Sequence, residues 1–270
     1  MTFSVLIAHY NNWNYFQECY QSIKNQTYQD YEIVLVDDYS TDESYEKLLA
    51  LSKEDFKLKL FRNSENKKVG FTKRRCVEEA TGEICGFLDP DDFLAPNALA
   101  EAIKIYQNNN QCIATYSKIK LVDVSSKTID DFKQTRKIKN RDKNFFNINF
   151  EIAHFFTFKK EFYLKTEGIN AKLTSAVDQD LYLKLYELGD FCFINQAHYF
   201  YRLHDKGVSQ DKTKKGKLGE NWHQVIFDTC KRRNIKKIYG KDVFAISNLP
   251  QFLYQKENTF LNKIKRKLGW

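Results

Sequence analysis

Apolar residues along this chain fall into short runs that stop at polar turns, with helix-spaced apolar residues between the runs. Ser4-Val5-Leu6-Ile7-Ala8 is the first run and Tyr31-Glu32-Ile33-Val34-Leu35-Val36 the second, and both have the β-branched and aromatic character of strands. Between them the pattern predicts a helix from about Asn14 to Gln26, with Phe16, Tyr20 and Ile23 on one face. Ser40-Thr41-Asp42-Glu43 has capping-box spacing and opens a second helix carrying Tyr45, Leu48 and Leu49. Leu58-Lys59-Leu60-Phe61 predicts a third strand, followed by a polar loop to Gly70, a helix that stops at Gly82, and a fourth apolar run ending before Pro90. Strand and helix thus alternate over the first hundred residues or so, the pattern of βαβ units in a parallel sheet with helices on its faces.

The later pattern is looser. A helix is expected from Pro96 to about Asn108, with Leu99, Ile103 and Tyr106 in register, and strands at Cys112–Tyr116 and His154–Phe158. Residues 117–150 are polar, with a basic run from Lys133 to Lys143, and predict either a mobile excursion or a strand pair. Ser175 to Leu188 reads as a helix with Leu181, Leu185 and Leu188 aligned and Gly189 as its stop. Beyond about Gly207 lysines and arginines dominate, and the last segment alternates Phe260, Leu261, Ile264 and Leu268 with Lys263, Lys265, Arg266 and Lys267. That end reads equally as a basic helix lying on an anionic membrane surface or as a packed helix with a solvated basic face.

Carboxylates gather where the strands stop. Asp37 and Asp38 follow the second strand, and Asp89, Asp91 and Asp92 follow the fourth. In a parallel sheet, ligands bind beyond the carboxyl ends of the strands, so these five residues, with Tyr10 and Asn11, imply one site. Three carboxylates within four positions repel one another. Either a hard divalent cation offsets that, sharing oxygen ligands with substrate phosphates, or the turn caps the next helix. The first reading is favoured because the cluster is not isolated. Asp178 and Asp180 lie in the first turn of a helix, where the helix dipole alone accounts for a carboxylate.

Composition narrows the class. The chain of 270 residues is 42% hydrophobic, enough for a sizeable core. No segment reaches the roughly 18 consecutive apolar residues of a membrane span, and the start of the chain enters a strand without a signal peptide. Six scattered cysteines form no C-x-x-C pair and read as reduced, which predicts a cytoplasmic compartment. A net charge of +8 favours anionic partners. Nucleic acid is disfavoured, because the basic residues concentrate in the later half without a nucleic-acid motif. A nicotinamide dehydrogenase is disfavoured too, since no G-x-G-x-x-G follows the first strand and no G-x-x-x-x-G-K occurs.

Several ordered segments resemble the inverting family 2 glycosyltransferases. They are Ser4 through Asn11, Asn25-Gln26-Thr27-Tyr28, Val34-Leu35-Val36-Asp37-Asp38-Tyr39-Ser40-Thr41-Asp42, Gly70 through Arg75, Ala80-Thr81-Gly82-Glu83 and Phe87-Leu88-Asp89-Pro90-Asp91-Asp92. The likeness runs in register from about residue 3 to 100 and returns more weakly at 154–190 and at Tyr201-Arg202-Leu203-His204. It implies an α/β GT-A fold: a Rossmann-like, mostly parallel central sheet with flanking helices, followed here by a helical C-terminal extension. The expected division is a glycosyltransferase domain over 1–206 (a nucleotide half to about 116 and an acceptor half from about 117) and a basic extension over 207–270.

The resemblance also implies roles. Ala8, His9 and Tyr10 would hold the nucleotide base, with Tyr10 as a stacking face. Asp38, beside Asp37, would accept a hydrogen bond from uracil, and Arg75 would neutralise the diphosphate. Asp89 and Asp91 resemble the D-x-D signature, and Asp91, Asp92 and His204 would hold Mn2+ or Mg2+. Asp178 falls where the family places its catalytic base. Val177 stands where Glu is common, which leaves Asp180 as a rival. The implied reaction moves a hexosyl or N-acetylhexosaminyl group from a nucleotide-diphosphate sugar, UDP more than thymidine diphosphate. The acceptor would be a glycan or a lipid-linked molecule in the synthesis of bacterial-type surface polysaccharide or glycoconjugate. Peripheral contact with the inner face of an anionic membrane would fit the basic tail.

Overall fold

The first strand, β1 (Phe3–His9), is buried on both faces, as a central strand of a helix-covered parallel sheet must be. A computed structural model of the chain describes residues 1–205 and 215–260. After β1 come α1 (Trp13–Lys24), β2 (Tyr31–Asp37), α2 (Ser44–Glu54), β3 (Leu58–Arg62), α3 (Lys68–Glu79) and β4 (Ile84–Phe87). Then follow β5 (Phe93–Leu94), α4 (Ala98–Asn108), β6 (Cys112–Val122), β7 (Thr128–Asp131), β8 (Thr157–Lys159), α5 (Lys160–Tyr163), α6 (Val177–Tyr186) and β9 (Asp190–Arg202). The described C-terminal part holds α7 (Lys215–Arg232), the short pair β10 (Lys237–Ile238) and β11 (Lys241–Asp242), and α8 (Leu249–Glu257).

The main sheet runs β3-β2-β1-β4-β8-β6-β9-β5, with β7 on β6. β3, β2, β1 and β4 are parallel. β8 is antiparallel to both β4 and β6, and β6 runs parallel to β9. This is the mostly parallel, helix-flanked sheet that the strand–helix alternation predicts. Alternate residues of its strands feed opposite layers. Val5, Ile7, Ile33 and Leu35 join Phe16 and Ile23 of α1, Leu48 of α2 and Leu99 of α4. Leu6, Val34 and Val36 join Cys76 and Val77 of α3 and the apolar face of α6.

Register decides what meets at the ligand edge. His9 pairs with Asp37 and Asp37 with Arg62, so β1, β2 and β3 end level. The turn after β4 emerges beside them.

Some boundaries differ from the sequence pattern. The strand expected over His154–Phe158 begins at Thr157, where its residues pair with Gly86 and Thr115. β6 continues to Val122, turns, and returns as β7, which is the strand-pair alternative for this stretch. The following loop is not a free excursion, because Phe146, Ile148 and Ile152 are buried. β9 has no counterpart in the pattern reading. The basic helix expected near the end of the chain, and Lys212 and Lys214, lie outside the described residues apart from Phe260. No helix among the described residues is long and apolar enough to cross a membrane.

Candidate active site

The ends of β1 and β2 are stapled together. Asp37 accepts bonds from the backbone and hydroxyl of Ser40 (3.0 and 2.5 Å), and His9 Nδ1 lies 3.3 Å away. Burial pushes the Asp37 carboxyl up, but the His9 and Ser40 bonds outweigh it and hold the group below its usual range. Asn11, at φ 49°, accepts from the Thr41 amide at 2.8 Å and donates its own amide to the Ser40 hydroxyl at 3.0 Å. The clasp fixes two aromatic rings at the rim, Tyr10 and Tyr39, each 44% exposed. Arg62 reaches Asp37 at 3.5 Å and lies over the rings of Tyr39 and Tyr45. Ala8, the residue before His9 in β1, is half-buried.

Asp38 is used inside the protein. Its carboxylate accepts from Asn63 Nδ2 (2.7 Å) and from the backbone amides of Lys67 (2.8 Å) and Lys68 (2.9 Å). It therefore anchors the start of α3, where free amides and the helix dipole favour an anion. Arg75, on the same helix, bonds the Arg62 carbonyl (2.7 Å), Asn63 Oδ1 (2.9 Å) and Glu79 (3.2 Å).

The cation at the carboxylate turn is Lys73. Its ammonium is buried, 3.0 Å from Asp89 and 2.9 Å from Asp178. Burial opposes its charge, but Asp178 and then Asp89 more than compensate and raise its pKa above the usual lysine value. Asp178 answers in kind. Burial pushes its carboxyl up, while Lys73 and then His154 pull it below the ordinary aspartate value. His154 Nε2 stands 3.9 Å from Asp89, with its ring stacked on Tyr199 at 4.8 Å.

Gly70 makes this junction possible. A Cβ there would sit 2.4 Å from the Leu173 carbonyl and 2.8 Å from that of Asn170. Backbone therefore packs on backbone where α3 meets the loop before α6, one helical turn ahead of Lys73. Asp180 is buried, accepting from the Asn170 amide (2.8 Å) and from Lys184 (2.9 Å). It braces that loop, while Asp178 faces Lys73.

The other two carboxylates of the turn diverge. Asp91 meets His204 Nε2 at 2.8 Å, and Tyr15 packs on the His204 ring. Asp92 turns inward, where its oxygens accept from the Tyr199 hydroxyl and the Arg202 backbone amide, both at 2.7 Å. Burial, and then the charges of Asp91 and Asp89, push its carboxyl well above the usual range. Arg202 closes the arrangement from β9, donating Nε to the Asp91 carbonyl at 2.8 Å and pairing with Glu18. The crowding seen in the sequence is thus relieved three ways: by Lys73 at Asp89, by His204 at Asp91 and by burial at Asp92.

The expected metal trio becomes a pair. Asp91 and His204 are together, but both Asp92 oxygens are committed. No group of three or more His, Cys, Asp or Glu among the described residues is arranged to hold a metal ion. One carboxylate and one imidazole still fit a hard divalent ion that takes its other ligands from a bound diphosphate.

Lys73, His154, Tyr199 and Arg202 are site residues that pattern reading did not select. Lys73 and Arg202 carried a signal, through their places in the Gly70–Arg75 and Tyr-Arg-x-His segments.

The family model described as glycosyl transferase family 2 matches residues 4–166. Chondroitin synthase of Escherichia coli is 29% identical over 94% of this chain and 36% of its own length. Hyaluronan synthase of Pasteurella multocida is 29% identical over 89% of this chain and 24% of its own. The chain thus spans about a third or less of these relatives. Among solved structures, S. aureus TarS 1-349 in complex with UDP superposes with a TM-score of 0.70 at 19% identity, covering 96% of this chain and 73% of that one. The same protein with UDP-GlcNAc gives 0.70 at 20%, covering 86% and 66%. The shared fold is the GT-A arrangement.

Proposed function

Since the chain belongs to glycosyl transferase family 2, we propose that it transfers a hexosyl or N-acetylhexosaminyl group from a UDP-sugar to an acceptor hydroxyl, with inversion at the anomeric carbon. The observation that carries this reading is the ammonium of Lys73 shared between Asp89 of the D-x-D turn and Asp178. It couples the end of the site suited to a leaving diphosphate to the carboxylate suited to an acceptor proton. The UDP and UDP-GlcNAc named for the TarS complexes support a UDP-sugar donor, and the polysaccharides named for the two synthases support a glycan acceptor, with a lipid-linked one as the alternative.

Three tasks fall to this chain's residues. Tyr10, with Tyr39, offers a face for the base, and Asp37 holds the turn that carries them. Asp178, ionised across the neutral range because its pKa is lowered, accepts the proton of the acceptor hydroxyl as that oxygen attacks. Lys73 keeps the carboxylate aimed and shields it from the charge of Asp89. Asp91 and His204 would hold Mn2+ or Mg2+, which offsets charge on the departing UDP when bound. Donor and acceptor held in line on opposite sides of the anomeric carbon give inversion. Synthesis of a bacterial-type surface polysaccharide, with peripheral contact to an anionic membrane, is the setting we assign.

Asp178→Asn tests the assignment. Transfer should be abolished while UDP binding with Mn2+, followed by calorimetry, stays within a few-fold of wild type. A variant that still transfers sugar at near the normal rate would remove Asp178 from the role. UDP binding without turnover of any nucleotide sugar by the unaltered protein would leave a binding protein rather than an enzyme.

A further inference from the structure

A second concavity lies apart from the carboxylate cluster. It encloses about 660 Å³ between the loop after β7 and helices α7 and α8, within the size range of small-ligand sites. Phe150, Trp222 and Tyr254 supply aromatic surface, Gln251 an amide, and Lys133 and Arg136 cationic groups whose carboxylate partners, Asp130 and Glu151, stand behind the lining. Phe150 and Trp222 pack at 5.3 Å with tilted rings, and the Tyr254 side chain is largely exposed. The Trp222 indole N–H is shielded from solvent and has no hydrogen-bond partner among the described residues. A small turn of the ring toward the cavity would give it an acceptor in a bound molecule.

Both walls are tied to the segment that carries Asp178. On one side Asn147, one residue before the lining begins at Ile148, donates to Gln179 at 2.9 Å. On the other, the amide of Asn221, next to Trp222, bonds the hydroxyls of Thr174 (3.1 Å) and Ser175 (2.8 Å). Any occupant of the cavity would therefore lie against structure rigidly linked to the base.

We propose that this cavity is a distal acceptor subsite for an anionic saccharide chain, an assignment that rests on the transferase reading above. The chemistry fits that class. Aromatic rings stack on the apolar faces of sugar rings and amides pair with hydroxyls, while Arg136 and Lys133, each paired with one carboxylate (Glu151 and Asp130), keep further N–H donors for a carboxylate- or phosphate-bearing unit. Lys133 is three-quarters exposed and held, among the described residues, by a surface pair with Asp130 at 3.2 Å, so it can turn to such a group.

The test uses the full chain and three probes: an oligosaccharide of alternating glucuronate and N-acetylhexosamine, a glucan oligosaccharide phosphorylated on alternate residues, and a neutral glucan of equal length. Binding is read by tryptophan fluorescence and calorimetry in wild type, Tyr254→Ala and Lys133→Ala, with Trp222→Phe as a third, conservative variant. One anionic probe should bind, and which one does separates carboxylate from phosphate as the source of the charge. The variants should weaken that probe, and raise its KM as acceptor, by about tenfold, with UDP binding and donor hydrolysis unchanged. Equal binding of the neutral glucan, or variants that leave anionic binding unaltered, would overturn the proposal. If Asp178→Asn abolishes transfer while the cavity variants leave acceptor KM unchanged, the subsite fails and the transferase stands. If Asp178→Asn transfers normally but the variants still weaken binding, the cavity is a saccharide site and its acceptor role fails.

Discussion

Lys73 joins two carboxylates that lie 89 positions apart in the chain as Asp89 and Asp178. Replacing it with Met keeps the length and removes the charge. Two partly buried carboxylates would then face each other without compensation, which costs more than the pair contributes when intact. We expect Lys73→Met to lower kcat roughly 100-fold or more. Its pH profile carries a signature besides. In the role we propose, Asp178 must be unprotonated to accept a proton, and its pKa is lowered because Lys73, and then His154, outweigh burial. In wild type the acid limb of kcat/KM should therefore lie below the ordinary aspartate range. In Lys73→Met it should move upward, so activity fades at a higher pH. Parallel pH–rate profiles decide this, and an unmoved acid limb would detach Asp178 from Lys73. The sequence could not have separated Lys73 from Arg75. Both stand in one Lys-Arg-Arg run, and only the helix, turning about 100° per residue, sends them to faces about 200° apart. Asp178 and the D-x-D residues were legible because family resemblance singles them out. The inward turn of Asp92 was not, since it depends on Tyr199 and Arg202 more than 100 positions away.

Between elements, Gly70 and Glu32 fix where α3 sits, one at each end. Gly70→Ala would press a methyl group into the carbonyls of Leu173 and Asn170, both backbone atoms that cannot swing aside. We expect a loss of about 1–3 kcal/mol in stability. The fall in kcat should exceed the fall in UDP affinity, because the strain separates Lys73 from Asp178 and spares the Tyr10 and Tyr39 turn to which we assign the base; denaturation, kinetics and calorimetry measure these. At the other end, buried Glu32 accepts from Ser4 (2.6 Å), the Thr81 amide (2.6 Å) and hydroxyl (2.7 Å) and Lys59, locking β1, β2 and the entry to β4. Burial raises its pKa, but Lys59, Ser4 and Thr81 together bring it down to about 2 from 4.5. A folded pKa below the unfolded one stabilises above the unfolded value, and that stability is lost as pH falls toward the folded value. Glu32 should thus contribute about 2 to 3 kcal/mol at neutral pH, fading between about pH 4.5 and 2. Glu32→Gln should lower the denaturation midpoint at pH 7 and flatten that acid decline. The strands and helices of this half were legible because their apolar periods are clean. β9 was not, since it sits near an edge of the sheet, mixes Asn195, Gln196 and His198 with aromatics, and pairs with β6 through several register shifts.

On the scale of the molecule, three apolar clusters share the described chain unequally. Two lie on opposite faces of β1–β4, one of them taking in Val225 of α7, whereas Phe146 and Ile148 pack with Ile226, Cys230, Val243, Leu249 and Leu253 in a smaller third. Composition marked a change of character near residue 207, but the later segment packs on α6 and on the 143–150 loop, which sequence pattern left unordered. Glu187, just past α6, connects the two. It holds Arg232 (2.9 and 3.0 Å) and Arg233 (3.0 Å) at the end of α7. Arg233 is buried, donates to the carbonyls of Lys143 (3.1 Å) and Phe145 (2.6 Å) and lies over the rings of Phe146 and Tyr186. Burial holds its pKa below the usual arginine value, even with Glu187 opposing that shift. Glu187→Gln would leave this guanidinium buried with neutral partners only, at a cost of roughly 2 kcal/mol. The loss should fall on the smaller core, because none of these contacts reaches β1, β2 or β3. Hydrogen exchange of the variant should speed up in residues 143–150 and 218–257 while β1–β3 keep their protection, and UDP affinity should stay at the wild-type level. Acceptor KM should rise, since the walls of the second cavity belong to the segments that loosen. Exchange that accelerates evenly through β1–β3 would mean that the smaller cluster opens together with the layers around the sheet, and that Glu187 secures the whole fold rather than the placement of α7 beside Asp178.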